Sequence, residues 1–130
     1  MIVVDTSAVF AILADEPERP RFVEAIASAD RCVISAATWV EIGIVVSARF
    51  GPAGSHYLSA FLSRAGVDTL PVDREQADTA IDAYTRFGKG NHPAGLNYGD
   101  CFSYALARVL DAPLLFKGDD FIHTDILAAL

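Results

Sequence analysis

The sequence predicts an α/β domain, a short parallel sheet covered by helices on both faces. Two observations predict it. Four short β-rich runs alternate along the chain with segments of helical spacing, which is the order that crossover connections between parallel strands require. Glycine or proline also punctuates the helical segments, at Gly51-Pro52, Gly66, Gly88 and Pro113.

Taken in order, Ile2–Val4 is the first strand and runs straight into Asp5. Helical spacing follows from Ser7 to Ala14 and from Pro20 to Ala29. Cys32–Ser35 is the second strand. The stretch from Thr38 to Phe50 is helical and stops at Gly51-Pro52, and Ala53 to Ala65 forms a further helix ending at Gly66. Val67–Val72 is the third strand, and Arg74 to Phe87 is a helix closed by Gly88. "GKGNHPAGLN", from Gly88 to Asn97, is the one irregular stretch, a loop carrying Lys89 and His92. Tyr98 to Leu110 is the last long helix, and Leu114–Lys117 is the fourth strand. There is no internal repeat and no linker, so residues 1–130 are expected to form a single domain.

The composition, 52% hydrophobic and 21% charged, is that of a globular protein able to bury a core. No apolar run approaches the ~18 residues of a membrane span. The N-terminal run has no basic region before it and is interrupted by Asp5, unlike a signal peptide, so a cytoplasmic location is expected. Cys32 and Cys101 have no metal or redox spacing and are read as small core residues. The net charge of −7 repels polyanions at long range. That would exclude nucleic acid unless a bound divalent cation dominates the local field.

In open parallel α/β sheets, ligands bind beyond the carboxyl ends of the strands. Asp5 follows the first strand directly, and Gly118-Asp119-Asp120 follows the last. Asp100 lies at the third or fourth position of its helix, with Asn97 as the expected N-cap. Each acid has a plainer role available, since a carboxylate near a helix N-terminus gains about 0.3–1 kcal/mol from the helix dipole. Glu41 is harder to explain that way. In "TWVEIGIVVSARF" almost no polar face remains, and a helix apolar all round is expected to be buried. A glutamate there needs a proton, a cation such as Arg49, or a metal.

Taken together the acids are more informative. Two carboxylates ~5 Å apart repel by about 3 kcal/mol at an effective dielectric near 20. Three or four in one pocket would cost on the order of 10 kcal/mol if all were ionised. A hard dication compensates, and Mg²⁺ or Mn²⁺ suits carboxylates and water better than Zn²⁺ does. Such an ion activates water and binds phosphate oxygens, which favours hydrolysis of a phosphodiester. The Thr6 and Ser7 hydroxyls are near enough in sequence to position a water or a phosphate. His56, His92 and His123 are scattered and form no triad pattern, and no Gly-rich phosphate loop follows the first strand.

"VVDTSAV", "TWVEIGIVV", "FGKGNHPAGLNYGDCFSYALA" and "LLFKGDDFIHTDI" together resemble the PIN-domain proteins, and more narrowly the VapC-type toxins of bacterial toxin–antitoxin pairs. The resemblance covers essentially the whole chain, and its third block is the most specific. It implies a three-layer α/β/α sandwich and a Mg²⁺- or Mn²⁺-dependent endoribonuclease. It also implies that Asp5, Glu41, Asp100 and Asp119 are the catalytic, metal-holding acids. Asp120 competes for the last position, or else caps the short helix that follows. A homodimer is implied too, held inactive by a cognate antitoxin in an apolar groove to which Val9, Phe10, Leu13, Phe22 and Ile26 are suited.

RNA contact must then rest on local bases, because two dications would bring −7 only to about −3. Lys89 is the first nominee, with Arg86, Lys117 and, less strongly, Arg108. A folded RNA recognised by shape at one cleavage point fits so low a positive charge. One alternative is a non-toxin PIN nuclease of RNA maturation or decay, against which the bare-domain length counts. Another is a Mg²⁺-binding receiver-like signalling module. It requires paired acids after the first strand, where Asp5 stands alone, and gives Glu41 no role. A phosphatase of the haloacid type fails because Ser7 occupies the place of its second acid.

Overall fold

The computed structural model describes residues 1–130. Its elements are β1 (Ile2–Val4), α1 (Thr6–Leu13), α2 (Arg19–Ser28), β2 (Cys32–Ser35), α3 (Ala36–Arg64), β3 (Val67–Leu70), α4 (Arg74–Phe87), α5 (Tyr98–Leu110) and β4 (Leu114–Leu115), with a 3₁₀ turn at Phe121–His123. The four strands form one sheet in the order β3-β2-β1-β4, every pair parallel as expected.

Strand alternation builds the sandwich. Val3 pairs with Val33 on one side and Leu114 on the other. Those three point to the face covered by α4 and α5, where Leu106, Tyr104, Ala105 and Leu96 complete the core. Ile2, Val4, Cys32 and Ile34 point the opposite way, into a second core with Val9, Ile12, Phe22, Ile42, Val46 and Leu58 from α1, α2 and α3. Two cores separated by one sheet make the three layers.

Several boundaries differ from expectation for local reasons. β3 ends at Leu70, because Pro71 has no N–H to offer a ladder. β4 stops at Leu115, and the N–H of Lys117 goes instead to the Ser7 hydroxyl at 2.9 Å. α3 begins at Ala36, two residues early, because Ser35 accepts the Ala37 N–H and caps it. The expected stop at Gly51-Pro52 is a break inside α3: Gly51 sits at φ 69°, ψ −162°, and the helix resumes beyond it. Only glycine adopts that backbone cheaply.

One expectation about α3 is overturned. Ile42 and Val46 are fully buried, but Val40 and Ile44 are 56% and 65% exposed, and Val45 and Phe50 are exposed as well. The helix packs its inner stripe on the sheet and leaves an apolar outer face uncovered.

Candidate active site

The ends of β1, β2 and β4 and the N-terminus of α5 lie along one edge of the sheet, so the residues just beyond them meet. Asp5 is 3% exposed and is the N-cap of α1. Its Oδ2 accepts the Ser7 N–H at 3.0 Å and the Ser7 hydroxyl at 2.6 Å. Its Oδ1 accepts the Ser103 hydroxyl at 2.5 Å. The capping role and the buried site role therefore fall on the same carboxylate. Thr6, the next residue, donates to Glu41 Oε1 at 2.5 Å. Both hydroxyls nominated for a water or phosphate are thus committed to carboxylates.

Glu41 stands in the second turn of α3, half-buried. Arg49 does not pair with it; the guanidinium lies 5.6 Å from the centroids of Phe10 and Phe50. The Glu41 carboxylate rests instead on α5 at Gly99, so closely that a Cβ on Gly99 would collide with it. Beside Gly99, Asp100 forms a capping box with Asn97. The Asp100 N–H donates to Asn97 Oδ1 at 2.9 Å, and Asp100 Oδ2 accepts the Asn97 N–H at 3.0 Å. Burial pushes the Asp100 carboxyl up to about 7, against the Asn97 N–H, and the charges of Asp5, Asp120 and Glu41 push the same way.

Gly118, at φ 105°, turns the chain after β4 into Asp119 and Asp120, both exposed. Asp120 precedes the 3₁₀ turn but makes no side-chain capping bond to it. Its charge is instead one of those that bear on Asp100.

The bases are mostly engaged elsewhere. Lys117 Nζ lies 2.9 Å from Glu18 and 3.3 Å from Glu16. Arg86 pairs with Asp125 and Asp82, and Arg108 with Asp125. Lys89 is exposed and has no carboxylate partner. His92 accepts the Ala94 N–H through Nδ1 and packs edge-on against Phe87, a loop-fixing role. Cys101 is buried, which raises its thiol to about 11, and Cys32 is likewise raised by burial; both are core residues.

No Lys or Arg pairs with Asp5, Glu41, Asp100, Asp119 or Asp120. The edge therefore gathers hard oxygen donors whose negative charge no side chain offsets. No three of them stand at metal-ligating spacing, and the Asp5, Glu41 and Asp100 carboxylates each accept from a hydroxyl or backbone N–H of their own. Such a set still fits Mg²⁺, which takes one or two carboxylates and keeps several waters.

Three residues in this site escape a reading of the sequence: Gly99, Ser103 and Thr38. Ser103 lies three residues beyond Asp100, on the same face of α5, and Thr38 three before Glu41 on α3. That spacing was the available signal.

The structure is thus that of a parallel α/β/α domain with carboxylates lacking basic partners along one sheet edge, Asp5 buried and Glu41 and Asp100 half-buried. A PIN domain matches residues 2–127, and the chain belongs to that family, in its VapC ribonuclease branch. Family members are metal-dependent nucleases. The VapC ribonuclease Mb0640 of Mycobacterium bovis is 51% identical over 125 residues, covering 96% of this chain and 95% of that one. Among solved structures, VapC20 of Mycobacterium tuberculosis, described as a Sarcin-Ricin loop cleaving toxin, superposes with a TM-score of 0.79 at 18% identity over 98% of this chain and 97% of its own. A toxin–antitoxin complex from Klebsiella pneumoniae gives 0.74 at 16% identity, over 96% and 93%. No helix of the chain is long and apolar enough to cross a membrane.

Proposed function

We propose that this chain, a single PIN domain over residues 1–130, is the cytoplasmic toxin of a toxin–antitoxin pair. Its activity is that of a Mg²⁺-dependent endoribonuclease, with Mn²⁺ an alternative ion. One observation carries the reading: Asp5, Glu41 and Asp100 are each fixed by a hydroxyl or backbone N–H along one sheet edge, none has a basic partner, and Asp100 is pushed up to about 7. Asp5, Glu41 and Asp100 would hold the cation together with one of the two acids after β4. Asp120 is the better choice than Asp119, because its charge bears on Asp100 and it has no capping bond to make.

When bound, the cation supplies an activated water and a positive charge for phosphate oxygens. The chain's own residues do the rest. Thr6 fixes the Glu41 carboxylate, Ser7 fixes Asp5, and Asn97 fixes Asp100. These two hydroxyls act on substrate through the acids they hold. Lys89, the unpaired lysine, meets an RNA phosphate. A structured RNA such as tRNA or rRNA is the proposed substrate.

The apolar side chains Val40 and Ile44 of α3, Ile81 and Tyr84 of α4 and Tyr98 of α5 are all exposed, which supports a homodimer. For the antitoxin, Val9, Phe22 and Ile26 are core residues, leaving Phe10 and Leu13, half-buried, as the nominated side chains within reach.

The test is cleavage of a folded RNA pool by the purified chain with Mg²⁺, with chelator, and by Asp100→Asn. Cleavage lost in both controls supports the reading; full cleavage by Asp100→Asn with Mg²⁺ sinks it. Asp119→Asn and Asp120→Asn, compared side by side, decide the fourth acid.

A further inference from the structure

Ser103 and Thr38 are two buried hydroxyls for which the proposed chemistry has no use. They are 0% and 1% exposed, and an unpartnered hydroxyl in such a place is costly. Their oxygens lie 3.2 Å apart, so they could satisfy each other, yet Ser103 also reaches Asp5 Oδ1 at 2.5 Å.

The direction of these bonds follows from what each group can donate. A carboxylate only accepts, so the single Ser103 proton goes to Asp5. Thr38 must then donate to Ser103. On the other oxygen, the Ser7 N–H and hydroxyl both donate to Oδ2, and the Lys117 N–H fixes the Ser7 oxygen from behind. A carboxylate has about four acceptor sites. Both sites of Oδ2 are filled and one of the two on Oδ1 is filled, which leaves a single site.

The helices explain why these two hydroxyls are the ones involved. Thr38 is one turn before Glu41 on α3, and Ser103 is one turn after Asp100 on α5. Each helix thus offers a carboxylate and, one turn deeper, a hydroxyl. The deeper pair joins both helices to Asp5.

We propose that Ser103, backed by Thr38, is a positioning residue that leaves Asp5 one open acceptor site on Oδ1 and so presents it to a divalent cation as a one-oxygen ligand. The inference rests on the carboxylate–metal reading above.

It is tested by Mn²⁺ titration of the purified full chain, followed by calorimetry or by the electron paramagnetic resonance of free Mn²⁺. Melting of the metal-free protein is measured alongside. Ser103→Ala is expected to weaken Mn²⁺ binding about tenfold or more, the usual cost of losing a partner that orients a ligand. Thr38→Val, which keeps the volume and removes only the donor behind Ser103, weakens it in the same direction by less. Both effects appear in protein that still melts cooperatively. A purely structural role would lower the melting temperature and leave Mn²⁺ affinity untouched. If Asp100→Asn loses Mn²⁺ while Ser103→Ala binds as the wild type does, the positioning role is overturned and the metal reading stands. Should Ser103→Ala not fold, wild-type Mn²⁺ affinity in Thr38→Val overturns it instead. A wild type that binds no Mn²⁺ overturns the metal reading and this inference with it.

Discussion

Asp100 carries the sharpest consequence at the scale of a single side chain. Its carboxyl titrates at about 7 in the fold against 3.8 in an ordinary setting, chiefly because it is buried. The folded chain therefore holds a proton that the unfolded chain has released between those two values. Stability contributed by that proton is present at low pH and is lost as pH rises towards 7. The metal-free wild type should melt at a lower temperature at pH 8 than at pH 5, through this group. Asp100→Asn, which can still accept the Asn97 N–H, should flatten that dependence. The same proton competes with a cation, so Mn²⁺ affinity of the wild type should climb with pH up to about 7 and then level off. Melting curves and titrations at four or five pH values check both; a pH-independent Mn²⁺ affinity would remove Asp100 from the ligand set. Asp5 and Asp100 were legible in the sequence because strand ends and helix starts are visible there. Ser103 was not, because its partner Asp5 is 98 residues away and only the fold joins them.

At the scale of elements, the approach of α3 to α5 is set by what Gly99 lacks. A methyl group there would strike the Glu41 carboxylate, yet alanine suits a helix better than glycine by up to ~1 kcal/mol. Gly99→Ala should therefore leave the melting temperature unchanged or slightly raised while RNA cleavage falls, because Glu41 is displaced and the core is not. Comparable losses of stability and cleavage would mean that the contact is ordinary packing. Gly51 makes the opposite case. Its φ of 69° and ψ of −162° belong to glycine alone, so Gly51→Ala should cost about 1–3 kcal/mol of stability, measured by denaturant unfolding. The sequence marked both ends of that break correctly, since Gly-Pro is a local signal. It misjudged the burial of α3 because an apolar face looks the same in sequence whether the covering partner is the sheet or another molecule. Val40 and Ile44 sit on the face that the chain itself leaves open.

For the whole molecule the difficulty is binding a polyanion with a net charge of −7. Ion pairs deepen it, since Lys117, Arg86 and Arg108 are spent on Glu18, Asp125 and their neighbours. A protein that grips RNA through many phosphates loses affinity steeply with salt, by nearly one power of the salt concentration per contact. This chain has Lys89 free for that purpose, so its salt dependence should be shallow. Raising salt from about 50 to 200 mM should increase KM for RNA only about threefold if one phosphate contact dominates. Lys89→Ala should then raise KM while kcat holds, and should lower the salt slope by about one. The measurement is cleavage kinetics of wild type and variant across a salt series at saturating Mg²⁺. A slope several times steeper would mean that Arg86 or Lys117 leaves its carboxylate partner when RNA arrives. A variant slope equal to that of the wild type would take Lys89 out of the interface and leave the cation and RNA shape to carry recognition.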